Sequence, residues 1–161
     1  MALTIACERP TSHVTGTDIS SDALEVARDN AIRLGALPHV AFREGDLYEC
    51  VTGERFDLVT ANPPYIPEDD IATLSPTIRD FEPRVALTGG VGGLEIVRRI
   101  VAEAPKHLST RGVLAIEIGA GQIEDVTQLF QDRGFEGIER KKDYGGIYRV
   151  VSGVWPEAQE P

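Results

Sequence analysis

Short apolar runs of strand length alternate with amphipathic helical stretches along almost the whole chain, and few fold classes tolerate that pattern. Residues 2–9, "ALTIACER", read as the end of a helix, and "HVTGTDIS" at 13–20 as a strand with a polar exit. The helix that follows, 20–35, carries Leu24, Ala27, Ala31 and Leu34 on one face, with capping-box spacing at Asp22 and Glu25 and a stop at Gly35. Strands are expected at 39–46 and 55–61, and a fourth in "GVLAIEIG". Between them Leu94, Val97, Val101, Ala104 and Leu108 mark a helix expected to bend at Pro105, and Ile123, Val126 and Phe130 stripe another. "GFEGIERKKD" and "GIYRVVSGV" read as a closing strand pair. The pattern predicts an α/β fold with a mainly parallel sheet and an antiparallel strand near its C-terminus. Residues 66–92, rich in Pro, Gly and Asp, are too long for an ordinary connector and read as a functional loop.

In α/β sheets ligands lie beyond the carboxyl ends of strands. Asp18, Asp46 and Asn62 each fall at such an end. A carboxylate at Asp18 can accept two hydrogen bonds from a ribose diol; the alternative is a helix cap, which Ser20, Ser21 or Asp22 could already provide. Asp46 in "EGDL" could accept from an adenine amino group or be a turn aspartate, and Leu47 beside it could pack on a flat base.

The third strand leaves through Asn62-Pro63-Pro64-Tyr65. Two prolines cannot donate to a sheet, so the strand must stop there. An amide nitrogen is a poor nucleophile because its lone pair is delocalised into the carbonyl. Two fixed acceptors gripping its two N–H groups can turn that lone pair toward an electrophile. The Asn62 side-chain oxygen and the Pro63 carbonyl, held by the stiffness of Pro63 and Pro64, are the candidate acceptors; Tyr65 can stack on a planar group. The alternative is a plain turn followed by a surface tyrosine. Asn62 also sits where it could reach the cofactor.

Composition narrows the rest. A chain of 161 residues is about one domain, assigned here as 1–154 with a disordered tail at 155–161. No apolar run approaches the ~20 residues of a membrane span, no secretory leader is visible, and the cytoplasm is the expected compartment. Cys7 and Cys50 lack metal or disulfide spacing, and His13, His39 and His107 are scattered, so no metal site is expected. The net charge of −10 argues against a direct nucleic-acid footprint.

Asn-Pro-Pro-Tyr at this place resembles the signature of class I S-adenosylmethionine-dependent methyltransferases acting on planar nitrogens. Within that group the chain resembles the HemK/PrmC-type release-factor glutamine methyltransferases, through "GTDISSDALEVARDNAIRLG", "FREGDLYE", "FDLVTANPPYIP", "FEPRVALTGGVGGLE", "GVLAIEIGAGQ" and "DYGGIYRVV". "NPPY" alone is shared with DNA adenine and guanine-N2 RNA enzymes; "FEP" followed by "AL", and "EIG" followed by Gln122, are more specific. The resemblance implies a Rossmann-like methyltransferase sheet and methyl transfer from S-adenosylmethionine to the glutamine in the GGQ loop of peptide chain release factors. It also implies Asp18 on the ribose, Asp46 and Leu47 near the adenine, and Asn62, Pro63, Pro64 and Tyr65 on the substrate glutamine.

The family places a strand, a D-x-G-x-G-x-G loop and a helical domain upstream of the helix that ends at "ALTIACERP". None of these is in the 161 residues, so a truncated or misassigned start is expected, with the sheet truncated at its N-terminus. "TGGVGGLE" at 88–95 follows no strand and is not a substitute. Two other functions stay open: a nucleic-acid adenine-N6 or guanine-N2 methyltransferase, and a non-catalytic remnant acting as an interaction module.

Overall fold

The computed structural model describes residues 1–157. It divides into two compact units, one of residues 1–54 and one beginning at Arg55.

In the first unit, helix α1 (Ala2–Glu8) precedes strand β1 (Val14–Asp18), helix α2 (Ser21–Arg33) and strand β2 (Val40–Glu44). β1 and β2 pair in parallel, with Val14 opposite Val40 and Asp18 opposite Glu44. Ala6, Ala31, Ala36 and Val40 form the buried cluster, with Ala2, Leu3, Val14 and Phe42 packed on it. Small residues suit the place: a side chain at Gly16 would meet the Phe42 ring at 3.0 Å.

The ends of α2 follow from its sequence. Ser20, not the Asp22–Glu25 pair, is the N-cap, its hydroxyl accepting from the Ala23 amide at 3.2 Å. Gly35 takes φ +66° and closes the helix, its amide donating to Ile32 and that of Ala36 to Ala31, a Schellman arrangement. Of the expected stripe, Leu24 and Ala31 are buried, whereas Leu34 is exposed. As C-cap residue with a non-helical successor, Leu34 lies where the stripe no longer faces the strands.

The second unit holds a four-stranded sheet of order β3-β4-β6-β5. Its strands are β3 (Phe56–Ala61), β4 (Leu108–Glu117), β5 (Glu136–Lys142) and β6 (Tyr148–Val154). β3 runs parallel to β4, and β6 lies antiparallel to both β4 and β5, as the alternation predicts. β4 begins at Leu108, earlier than expected; the chain passes Arg111 at φ +64° within it, and pairing with β3 shifts register between Phe56 and Leu58.

Helices α5 (Glu95–His107) and α6 (Ile123–Arg133) cover this sheet. Val97, Val101 and Ala104 are buried as their spacing requires, and α5 runs through Pro105; Leu108, expected to continue the stripe, is buried as the first residue of β4 instead. From α6, Val126 and Phe130 are fully buried, and the Phe130 ring lies against the backbone of β6 at Gly153.

Residues 66–92 are not an irregular loop. They hold 3-10 turns at Glu68–Thr73 and Val91–Gly93 and two one-turn helices, α3 (Pro76–Arg79) and α4 (Arg84–Leu87). No helix among the described residues is long and apolar enough to cross a membrane. The expected tail falls, over residues 158–161, outside the described residues.

Candidate functional site

In the first unit, Asp18 ends β1 and is exposed. Its Oδ1 accepts from the Ser20 amide at 2.9 Å, so the carboxylate organises the turn into α2 as well as facing solvent. Ser20 supplies the cap itself, which leaves Asp18 unneeded in that role.

Asp46 and Leu47 are placed by the turn that follows β2. Arg43 donates to the Cys50 carbonyl at 3.1 Å and pairs with Glu54, drawing residues 45–54 back along β2. Gly45 is required there, since a Cβ would fall 2.8 Å from that of Cys50. Asp46 is half-buried, its carbonyl accepting from Glu49 at 3.1 Å. Leu47 has φ +51°, a conformation that costs a non-glycine residue about 1 kcal/mol or more. Thr17 Oγ1, one residue before Asp18, donates to the Leu47 carbonyl at 3.4 Å. The hydrogen-bonded contact brings the ends of β1 and β2 together, with Gly45 donating to the Asp18 carbonyl at 3.0 Å. This pairs acceptor-only carboxylates with a partly exposed leucine, a set that suits a ribose diol beside a flat base.

In the second unit, the exit of β3 has two kinds of backbone. Pro63 is buried, Asn62 exposed, and Pro64 and Tyr65 lie between. Gln122, itself buried, donates from Nε2 to the carbonyls of Tyr65 at 3.0 Å, Gly93 at 3.2 Å and Gly92 at 3.4 Å. Its Oε1 accepts from the Gly119 amide at 2.8 Å. Ile66 exchanges hydrogen bonds with Leu87 and Gly89, which ties 88–93 to the same exit. A side chain at Gly89 would meet the Pro64 carbonyl at 2.7 Å, and one at Gly93 would overlap the Tyr65 carbonyl. Among the described residues, no hydrogen bond ends on the Asn62 side chain or the Pro63 carbonyl. The exit is therefore fixed from behind while its two candidate acceptors stay uncommitted.

Reading the sequence singled out Gln122 and "TGGVGGLE" only as family pieces. Nothing in their spacing assigns that role: a buried amide needs acceptors and a donor, and the acceptors of Gln122 at Tyr65 and Gly93 lie 57 and 29 positions away in the chain.

Residues 1–77 match the model of the methyltransferase small domain family. The chain is 42% identical over 153 residues to the release factor glutamine methyltransferase of Geobacter sulfurreducens, covering 95% of this chain and 53% of that protein. It is 45% identical over 135 residues to the protein of the same name from Bacillus anthracis, covering 81% and 46%. Along nearly its whole length the chain is similar to release factor glutamine methyltransferases. It spans about half the length of the curated relatives it matches.

The fold agrees with that similarity. A methyltransferase from Pyrococcus furiosus superposes with a TM-score of 0.67 at 16% identity, over 95% of this chain and 68% of that one. Asp18 closes a strand of the two-stranded sheet and Asn62 follows β3 of the four-stranded sheet.

Proposed function

We propose that the chain carries the catalytic part of an S-adenosylmethionine-dependent N5-methylation of the glutamine in the GGQ motif of peptide chain release factors, in the cytoplasm. Kinship with proteins of that name supports the chemistry. The observation that carries it is the β3 exit, where Tyr65 is locked by its carbonyl while Asn62 Oδ1 and the Pro63 carbonyl remain uncommitted acceptors.

The roles follow from chemistry. Asn62 Oδ1 and the Pro63 carbonyl accept the two N–H groups of the substrate amide and fix the plane of its nitrogen. Holding both hydrogens stabilises the positive charge that develops on nitrogen as it attacks. Pro64 keeps the Pro63 carbonyl from rotating away, and Tyr65 covers the face of the amide. Asp18 holds a ribose diol, and Asp46 and Leu47 an adenine. S-adenosylmethionine, when bound, supplies a methyl group on a sulfonium sulfur.

Methylation of a nucleic-acid amino group would use the same four residues, but the net charge of −10 opposes binding a phosphate backbone. The test is incubation with S-adenosylmethionine and a release factor, followed by mass spectrometry of the GGQ peptide. A methyl group on that glutamine, absent when it is replaced by alanine, is expected. Methylation of RNA or DNA instead, or binding of a release factor with no transfer, would overturn the reading.

A further inference from the structure

We propose that Gln122, seated between Gly93 and Gly119, is a positioning residue that sets Tyr65 at the amide-accepting exit of β3. The inference rests on the functional reading above, and it assigns work to a side chain that touches no substrate.

The argument is one of satisfiability. The carbonyls of Tyr65, Gly92 and Gly93 converge on one point, and the Gly119 amide points at a neighbouring one. A side chain there must donate to carbonyls and accept from an N–H at the same time, and must be neutral because it is buried. A carboxamide meets those demands. Glutamate would set an anion among carbonyl oxygens, and lysine could not accept. Length matters as well, because Gln122 is the residue just before α6, and its amide must reach across to a strand exit 57 positions earlier in the chain.

The glycines complete the socket. At Gly119 a Cβ would stand 3.0 Å from Gln122 Oε1 and 3.1 Å from Tyr65 Cδ2, so the tyrosine ring rests against bare backbone. At Gly93, φ +71° and the overlap with the Tyr65 carbonyl both demand glycine. Peptide carbonyl and ring of Tyr65 are therefore each held by a contact of their own. The socket leaves Asn62 and Pro63 out of its hydrogen bonds, which suits a support that orients the exit without occupying it.

The test compares the 161-residue chain with Gln122→Glu, Gly119→Ala and, as control, the exposed Gln128→Ala. Tyr65 ring resonances are followed by NMR, and kcat and KM are measured for methyl transfer to a release factor. Gln122→Glu should shift the Tyr65 resonances and lower kcat at least ten-fold, with S-adenosylmethionine affinity within two-fold of wild type. Lowering the pH should restore part of both signals, since a protonated carboxyl can again donate. Gly119→Ala, which asks only a few tenths of an ångström of its neighbours, should move Tyr65 in a folded protein even if the glutamate variant does not fold. Unmoved Tyr65 resonances in a folded Gly119→Ala or Gln122→Glu would overturn the proposal, as would an equal loss in the control. If the unaltered chain transfers no methyl group, the functional reading fails by itself, and the Tyr65 resonances still decide the role of Gln122.

Discussion

Asp18 Oδ1 accepts a hydrogen bond from the backbone amide of Ser20 at 2.9 Å, so the residue proposed to hold the ribose also shapes the turn that carries it. The two duties separate by substitution. Asp18→Asn keeps an acceptor for Ser20 and should leave stability within about 0.5 kcal/mol of wild type. Removing the charge from a ligand-facing hydrogen bond should weaken S-adenosylmethionine binding by about 1.5–3 kcal/mol. Asp18→Ala should lose that affinity and about 1 kcal/mol of stability as well. Calorimetric titration beside thermal unfolding checks both; equal affinity in wild type and Asp18→Asn would remove Asp18 from the ribose.

Asn62→Ala should raise the barrier to methyl transfer by about 2–4 kcal/mol, the scale for removing one preorganised polar partner. The side chain is exposed and takes part in no hydrogen bond among the described residues, so the melting temperature should hardly change. Single-turnover kinetics on a release factor provides the measurement. Unaltered turnover would exclude Asn62 as an amide acceptor.

The hairpin between β5 and β6 should titrate through Asp143. Backbone N–H donation from Ile147 holds its carboxyl below the ordinary carboxylate range, helped by Arg149 and the Gly145 amide. A lowered folded-state pKa means the unfolded chain binds the proton more tightly. The contribution is therefore complete above the ordinary aspartate value of about 3.9 and is lost as pH falls through the lowered folded value. Asp143→Asn should flatten the acid limb of the stability curve below the ordinary aspartate range. Chemical denaturation across that range would detect it, and identical acid limbs would contradict the assignment.

Packing of Phe130 on the β6 backbone sets the tolerance at Gly153, where a Cβ would fall 2.9 Å from the ring. Gly153→Ala should cost about 1–3 kcal/mol by overpacking. Shrinking the ring in Gly153→Ala/Phe130→Leu should recover part of that loss, giving a coupling energy of about 0.5 kcal/mol or more. A purely additive double mutant in urea unfolding would show that the ring and the strand do not share the strain.

Local spacing was enough to find every strand and the long helices, because a period of two or 3.6 residues is set by neighbours along the chain. Gly35 could be read as a stop for the same reason: left-handed backbone favours glycine wherever it occurs. Errors began where a residue's neighbours come from elsewhere. Leu34 continues a helical stripe in sequence yet is exposed, because the helix has ended and nothing covers it. Residues 66–92 lack periodicity and read as loop, although Ile66, donating to Leu87 and accepting from Gly89, closes a segment that holds turns and one-turn helices.

The candidate site divides in the same way. Asn62, Pro63, Pro64 and Tyr65 could be named as candidates from the chemistry of four adjacent residues, as could the carboxylates at the strand ends. That Gln122 fastens Tyr65, and that Gly93 and Gly119 must be bare to let it, was decided by tertiary structure alone. A buried amide finds its partners only when β4, the glycine turn and the β3 exit have met, and no spacing rule links positions 57 residues apart.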